Sequence, residues 1–255
     1  MNKLSIIAIT AIVFIAQPGF TMTGREIMEK SNALPEPKTV KSAADMTIHK
    51  GSMVMKRQIL LTGMKFGEND KVLVKIRELP SGNITRVLTH TKKGAEDLQW
   101  LKLANGRIKR IASGDRSGAF ANSHLFYEDL QSRDINDYTY TLLGEEKVEG
   151  LECYKIKAIP KPGKSVYDRA DFFVIKSGEF MYFVARIDIY YKDYLYKRLV
   201  NYEIKNTSGI ITPYRAVMYR LNKKGKNLGR TTVEIRKIMY NSSGISDSIF
   251  NRNSL

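Results

Sequence analysis

Apolar and polar positions alternate with a period of two through most of this chain, and that period marks out its elements. Lys71–Leu79 is the clearest stretch, with Val72, Val74 and Ile76 on one side and Lys75 and Arg77 on the other. Ala44–Ile48 alternates in the same way and Arg57–Gly63 reads as a mixed strand. Asn83–Thr91 and Asp97–Leu103 then follow at hairpin spacing. Turns are marked at 67–70, 80–83, 92–94 and 105–106. The strongest is Asn105-Gly106, because both central residues of a type I′ turn need positive φ. Strands resume over 138–146, 151–159, 170–176, 181–192, 194–205, 213–222 and 229–240, and tyrosine and phenylalanine crowd this half. About ten strands or more in one continuous sheet curl rather than stay flat. The expected class is therefore mainly β with a few helices, a single strongly curved antiparallel sheet forming an unclosed half β-barrel.

Three segments break the alternation. Thr23-Gly24-Arg25-Glu26 has the form of a capping box, Thr at the N-cap and Glu three residues on. Ile27, Ser31 and Leu34 then share one face of a predicted helix over 24–34, which Pro35 and Pro37 stop. Residues 113–137 form the one long insert between strands. Within it Leu125, Phe126, Asp129 and Leu130 suit a short helix, and an ordered loop of this size is usually functional. Asn241–Leu255 reads as a turn and a loose end.

The N-terminus bears on compartment. Lys3 precedes an almost wholly apolar run, Leu4–Ala16, which Gln17-Pro18-Gly19 breaks. This is the pattern of a cleaved secretory signal, assigned to residues 1–21 and implying the periplasm. An uncleaved anchor is the lesser alternative, since spanning takes about 20 apolar residues. Residues 22–255 are then expected to form a single domain. A formal charge of +16, from 42 basic and 26 acidic residues, favours anionic partners. Export argues against nucleic acid, which leaves transient contact with membrane surfaces. The sole cysteine, Cys153, lies in an alternating stretch and reads as a buried strand residue.

Catalytic chemistry has no positive support. His49, His90 and His124 lack metal-ligand spacing, and no nucleophile elbow or phosphate loop is present. Ser117, Asp115 and His124 are near in sequence, but a triad is assembled by geometry and not by sequence closeness. Glu128-Asp129 and Glu145-Glu146 are adjacent carboxylates that point to different faces of a strand. No catalytic residue, metal site or cofactor is expected.

One ordered set of motifs is more specific. Leu98-Gln99-Trp100-Leu101-Lys102-Leu103, Ile108-Lys109-Arg110-Ile111, Asp115-Arg116 and Phe126-Tyr127-Glu128-Asp129-Leu130 lead into Asp137–Glu146 and Gly150–Ile156, closing at Pro160-Lys161. In this order the run resembles the outer-membrane lipoprotein-sorting protein family, the LolA-like group associated with RND/MMPL-type transporters. Ala121-Asn122-Ser123-His124 departs from the stretch that family members often carry before the Tyr-Glu-Asp motif. The resemblance implies a LolA/LolB-like half-barrel with helices covering its open mouth, and a non-enzymatic carrier for acyl chains of a lipoprotein or phospholipid. It also implies transport to the outer membrane and an inner-membrane transporter of the RND/MMPL type as partner. On this reading Ile59, Leu61, Val72, Val74, Ile76 and Trp100 face the acyl chain. Ile27 and Leu34 of the helix, with Phe120, Leu125, Phe126 and Leu130 of the insert, form a lid. A lipid-sensing or transporter-accessory module on the same fold is the alternative.

Overall fold

The computed structural model of the chain describes residues 22–67, 69–92, 97–112, 115–131 and 133–255. The leader assigned to residues 1–21 lies outside them. Thirteen strands form one antiparallel sheet: β1 (Thr39–Lys50), β2 (Met53–Phe66), β3 (Asn69–Leu79), β4 (Ile84–Thr91), β5 (Leu98–Lys102), β6 (Ile108–Ile111), β7 (Tyr138–Val148), β8 (Leu151–Pro160), β9 (Arg169–Ile175), β10 (Val184–Tyr191), β11 (Tyr194–Thr207), β12 (Ile210–Leu221) and β13 (Asn227–Tyr240). Their spatial order is β6-β5-β4-β3-β2-β1-β13-β12-β11-β10-β9-β8-β7. Two meanders are thus joined by the β1–β13 pair, and β6 and β7 remain as unpaired outer edges. The sheet curves into a half-barrel without closing.

Register shows why one face became the inside. Directly paired residues point to the same side of an antiparallel sheet. One such row runs Met55, Ile48, Thr231, Met218, Leu199, Ile187, Phe172, Ile156 across eight strands. All but Thr231 are apolar, so the alternation of each strand is in phase with its neighbours. Two buried clusters lie on this inner face. One gathers Ala44, Met46, Ile48, Ile59, Ile76, Val87, Leu101 and Ile111 from β1–β6. The other gathers Ile156, Ala158, Phe172, Val174, Ile187, Ile189 and Met218 from β8–β12.

The helix α1 spans Gly24–Asn32 and closes the second cluster with Ile27 and Met28. Its capping box is formed: Thr23 Oγ1 accepts from the Glu26 N–H at 3.2 Å, and the Glu26 carboxylate accepts from the Thr23 N–H at 2.6 Å. A side chain at position 24 would lie 2.7 Å from the Leu142 nitrogen, so glycine lets the helix touch β7 backbone to backbone. Replacing the cap, Thr23→Ala, should cost about 1 kcal/mol. That corresponds to roughly 2–4 °C in Tm for a chain of this size, read by thermal unfolding followed by circular dichroism.

Several expectations need correction. The helix ends at Asn32, so Leu34 lies beyond its last turn and joins neither inner cluster. Among the described residues of the insert there is no α-helix, only single 3-10 turns at Phe120–Asn122, Glu128–Leu130 and Ile135–Asp137. The strand expected from residue 181 starts at Val184, because Tyr182 takes positive φ in the preceding turn. The tail is not loose. Phe250 and Leu255 are buried on the outer face against Leu73, Leu88 and Trp100.

Candidate functional site

The inner face and its cover form the candidate site. Ile59 and Ile76 pair directly, as do Leu61 with Val74 and Gly63 with Val72, so the five aliphatic residues predicted on β2 and β3 share the inner face. Ile59 and Ile76 are buried there with Val74 packed beside them, while Leu61 and Val72 lie farther along and are half-buried. Trp100 is the exception. It pairs with Leu88, which pairs with Leu73, and that row faces outward beneath the tail. The Trp100 ring meets His90 edge-on at 5.0 Å, and the His90 Nε2 lies 2.8 Å from the Phe250 carbonyl oxygen.

The insert crosses the inner face between the two clusters. Phe120, Tyr127 and Leu130 pack on the β1–β6 side, Phe126 packs on the β8–β12 side, and Leu125 touches both. All four predicted lid residues of the insert are therefore against the inner face. Ala119 and Phe126 form an isolated bridge that ties the insert into a compact loop.

Side chains, not sheet hydrogen bonds, hold this loop down. Lys197 on β11 is fully buried, and its Nζ donates to Asp129 Oδ2 at 2.9 Å and to the Tyr167 hydroxyl at 2.9 Å. Tyr167 in turn donates to Asp129 Oδ1 at 2.8 Å, and the Phe126 N–H donates to Asp129 Oδ2 at 2.7 Å. The Phe126 ring stacks on Tyr167 at 5.8 Å and lies 3.2 Å from the Lys197 nitrogen. Burial pulls the Lys197 ammonium down to about 8, while Asp129 acts against the shift. Burial also raises the Tyr167 phenol, with Asp129 adding to the effect. Glu128 accepts from the Ser165 hydroxyl and, at 2.9 Å, from the Val166 N–H. The adjacent carboxylates 128 and 129 thus both anchor the insert to the 165–167 segment, and Asp129 also to Lys197 of β11.

His124 pins the other end. Its N–H donates to Thr231 Oγ1 at 3.0 Å, and its Nδ1 lies 2.9 Å from the same oxygen. The Arg230 backbone also bonds to the ring. A neutral ring with Nε2–H donating to the Arg230 carbonyl, and Nδ1 accepting from Thr231, satisfies all three bonds. Gly229 permits the approach, since a Cβ there would sit 2.8 Å from His124 Nε2 and 2.3 Å from the His49 carbonyl oxygen.

Burial, with Lys50, Lys197 and Arg220 nearby, lowers the His124 pKa to about 4. The unfolded chain takes up this proton near pH 6.5 and the folded chain does not. The contribution is therefore fully present above about 6.5 and is lost as pH falls toward 4, by about 3 kcal/mol. The check is urea unfolding at stepped pH, where His124→Gln should flatten this segment of the curve. An unchanged slope would exclude His124 as its source.

Sequence reasoning missed Lys197. Nothing in its local sequence singles it out, although it shares parity with Leu199, an inner-face residue. Cys153 is fully buried on the outer side with Phe173 and Ile175, and burial pushes its thiol up to about 11. Among the described residues no group of three or more His, Cys, Asp or Glu could hold a metal ion, and no helix is long and apolar enough to cross a membrane.

Residues 68–255 match the model of a protein family described as "Uncharacterized protein". The chain belongs to this family. Solved structures agree over nearly the whole chain and place the fold among LolA-like proteins. A DUF1329 family protein from Desulfovibrio piger is 26% identical, with 91% of this chain and 97% of that one covered at a TM-score of 0.82. A domain described as outer membrane lipoprotein-sorting protein, from Vibrio parahaemolyticus, is 24% identical over 90% and 97% of the two chains, at 0.80. A LolA superfamily protein from Nitrosomonas europaea is 18% identical over 92% and 100%, at 0.67. No curated protein sequence matches the chain.

Proposed function

We propose that this family member is a non-enzymatic periplasmic carrier that shelters the acyl chains of a lipoprotein or phospholipid on its way to the outer membrane. One observation carries the reading. The apolar inner face of an open thirteen-strand sheet is covered by a nine-residue helix and an irregular insert, where a β-sandwich would place a second sheet. Such a cover is held by a few side-chain contacts and can be displaced without breaking the sheet. An acyl chain entering beneath the cover, against Ile59, Val74 and Ile76 with Leu125 and Phe126 of the lifted insert closing over it, would gain about 0.8 kcal/mol per methylene. Twelve methylenes supply roughly 10 kcal/mol before entropy losses, so no polar constellation is needed for affinity. The leader-like residues 1–21 support export, residues 22–255 the carrier itself, and an RND/MMPL-type transporter is the proposed inner-membrane partner.

The test is native mass spectrometry of the mature protein from periplasm, followed by organic extraction and titration with a fluorescent fatty acyl probe. Bound lipid or acylated peptide that the probe displaces is the expected result. A clean apo mass with no probe binding would mean that the inner face is only a packed core, and the carrier reading would fall. Ile76→Asp, on the inner face, should abolish probe binding. A carrier returns its labelled lipid chemically unchanged; a cleaved lipid would make the protein an enzyme.

A further inference from the structure

Three hairpins meet at one end of the half-barrel. In the order β4-β3-β2-β1-β13-β12, the turns β3–β4, β1–β2 and β12–β13 are neighbours on the same rim. Each turn or strand end here exposes a large apolar side chain: Leu79 is 40% exposed, Met53 58%, Val54 51% and Leu228 49%. These sit among six cations, Lys50, Lys56, Lys223, Lys224, Lys226 and Arg230. Some lysines elsewhere are paired, as in Lys71–Asp247, Lys155–Glu146 and Lys176–Glu145. Among the described residues none of the six rim cations has a carboxylate partner, and the rim glutamate Glu78 is paired with Arg57. Exposed apolar tips between uncompensated cations are costly in water and suit an interface where the tips enter acyl chains and the cations meet phosphates.

A second feature lies directly behind the tips. The outer face has a hollow of about 370 Å³ lined by His49, Arg215, Tyr219, Arg230, Thr232 and one carboxylate, Glu234. His49, Arg230 and Tyr219 form the row nearest the rim, and the exposed Arg230 guanidinium has no partner among the described residues. A lipid phosphate held there would lie where the tips have just entered the bilayer.

We infer that this rim is a docking surface for an anionic phospholipid bilayer. The inference deepens the carrier reading, on which it rests, by locating where the carrier meets a membrane. The rim also touches the cover. Lys50 Nζ donates to Asn122 Oδ1 at 2.7 Å, at the turn of the insert where Ala121 and Asn122 both take positive φ. Phosphates that engage Lys50 compete for one of the contacts that hold the insert closed, so docking favours exchange of the bound chain.

The experiment is flotation of the full mature chain with vesicles of phosphatidylcholine and phosphatidylglycerol in equal parts, against vesicles of phosphatidylcholine alone. Binding is expected on the anionic vesicles only, and it should weaken with salt. Each lysine near an anionic surface strengthens adsorption by roughly fivefold, so Lys223→Glu with Lys224→Glu and Lys226→Glu should lower it by a hundredfold or more. The triple variant should keep the parent's unfolding curve, so that its loss of flotation reports docking and not misfolding. Met53→Ser with Val54→Ser should also lower binding while leaving the unfolding curve in place. Equal binding to both vesicle types, no binding to either, or a triple variant that floats like the parent would each overturn the inference. Acyl-probe titration in vesicle-free solution separates the two readings: a rim variant that keeps probe binding but no longer floats isolates docking, and floating without probe binding retains the rim while removing the carrier.

Discussion

Replacing Lys197 by methionine should destabilise the protein by about 3–5 kcal/mol, because it leaves the Asp129 carboxylate buried without its cation. The geometry makes the loss specific. Asp129 is almost wholly buried, and two of its contacts, from Tyr167 and from the Phe126 N–H, persist in the variant but carry no full charge. The carboxylate then has to be protonated or draw in water, and either route opens the insert. Removing both charges, Lys197→Met with Asp129→Leu, should recover most of the loss, since a buried ion pair is often no more stable than apolar residues of similar volume. Urea unfolding of the parent, both single variants and the double variant forms a complete cycle. Additive single effects would mean that the pair is not coupled and that the insert is held by packing alone. If the latch controls access, the single variants should also take up the acyl probe faster.

Phe250→Ala should cost about 3–5 kcal/mol, as expected for a large buried aromatic side chain. Phe250 is 1% exposed, meets Phe66 edge-on at 6.4 Å, and covers Leu73 and Leu88 on the outer face. Losing its ring releases the tail from this patch. Trp100 is the sole tryptophan of the chain and lies in the same cluster, so its emission reports the event directly. A red shift at denaturant concentrations below the main transition would show the tail leaving before the sheet unfolds. A single coincident transition with an unshifted midpoint would mean that the tail contributes nothing to stability.

The two residues mark where the sequence ran out. Alternation placed Lys197 and Trp100 on definite sides of their own strands, but it could not say what covers each side. A lysine on a strand is ordinarily solvated, and only the arrival of Asp129 and Tyr167 from distant segments makes a buried one tolerable. Trp100 was assigned inward with the residues expected to face the acyl chain, and it is partly covered instead by the tail on the other face. Leu73 shows the same ambiguity: it lies on the side of Lys75 and Arg77 and is nonetheless 5% exposed.

The sequence by itself determined the local elements: the strands, where most hairpins turn and the Thr23–Glu26 cap, because these depend on side-chain period and on bonds between residues a few positions apart; the type I′ turn expected at Asn105-Gly106 did not form, since only Gly106 takes positive φ in a longer loop. It also determined the fold class, since so many in-phase strands with so few helices must curl and remain uncovered by a second sheet. Tertiary structure alone decided which residues of the insert reach which cluster, that the tail is packed, and that one lysine is buried as a latch. Those outcomes rest on contacts between segments far apart in sequence, whose register and burial emerge only when the whole sheet is assembled.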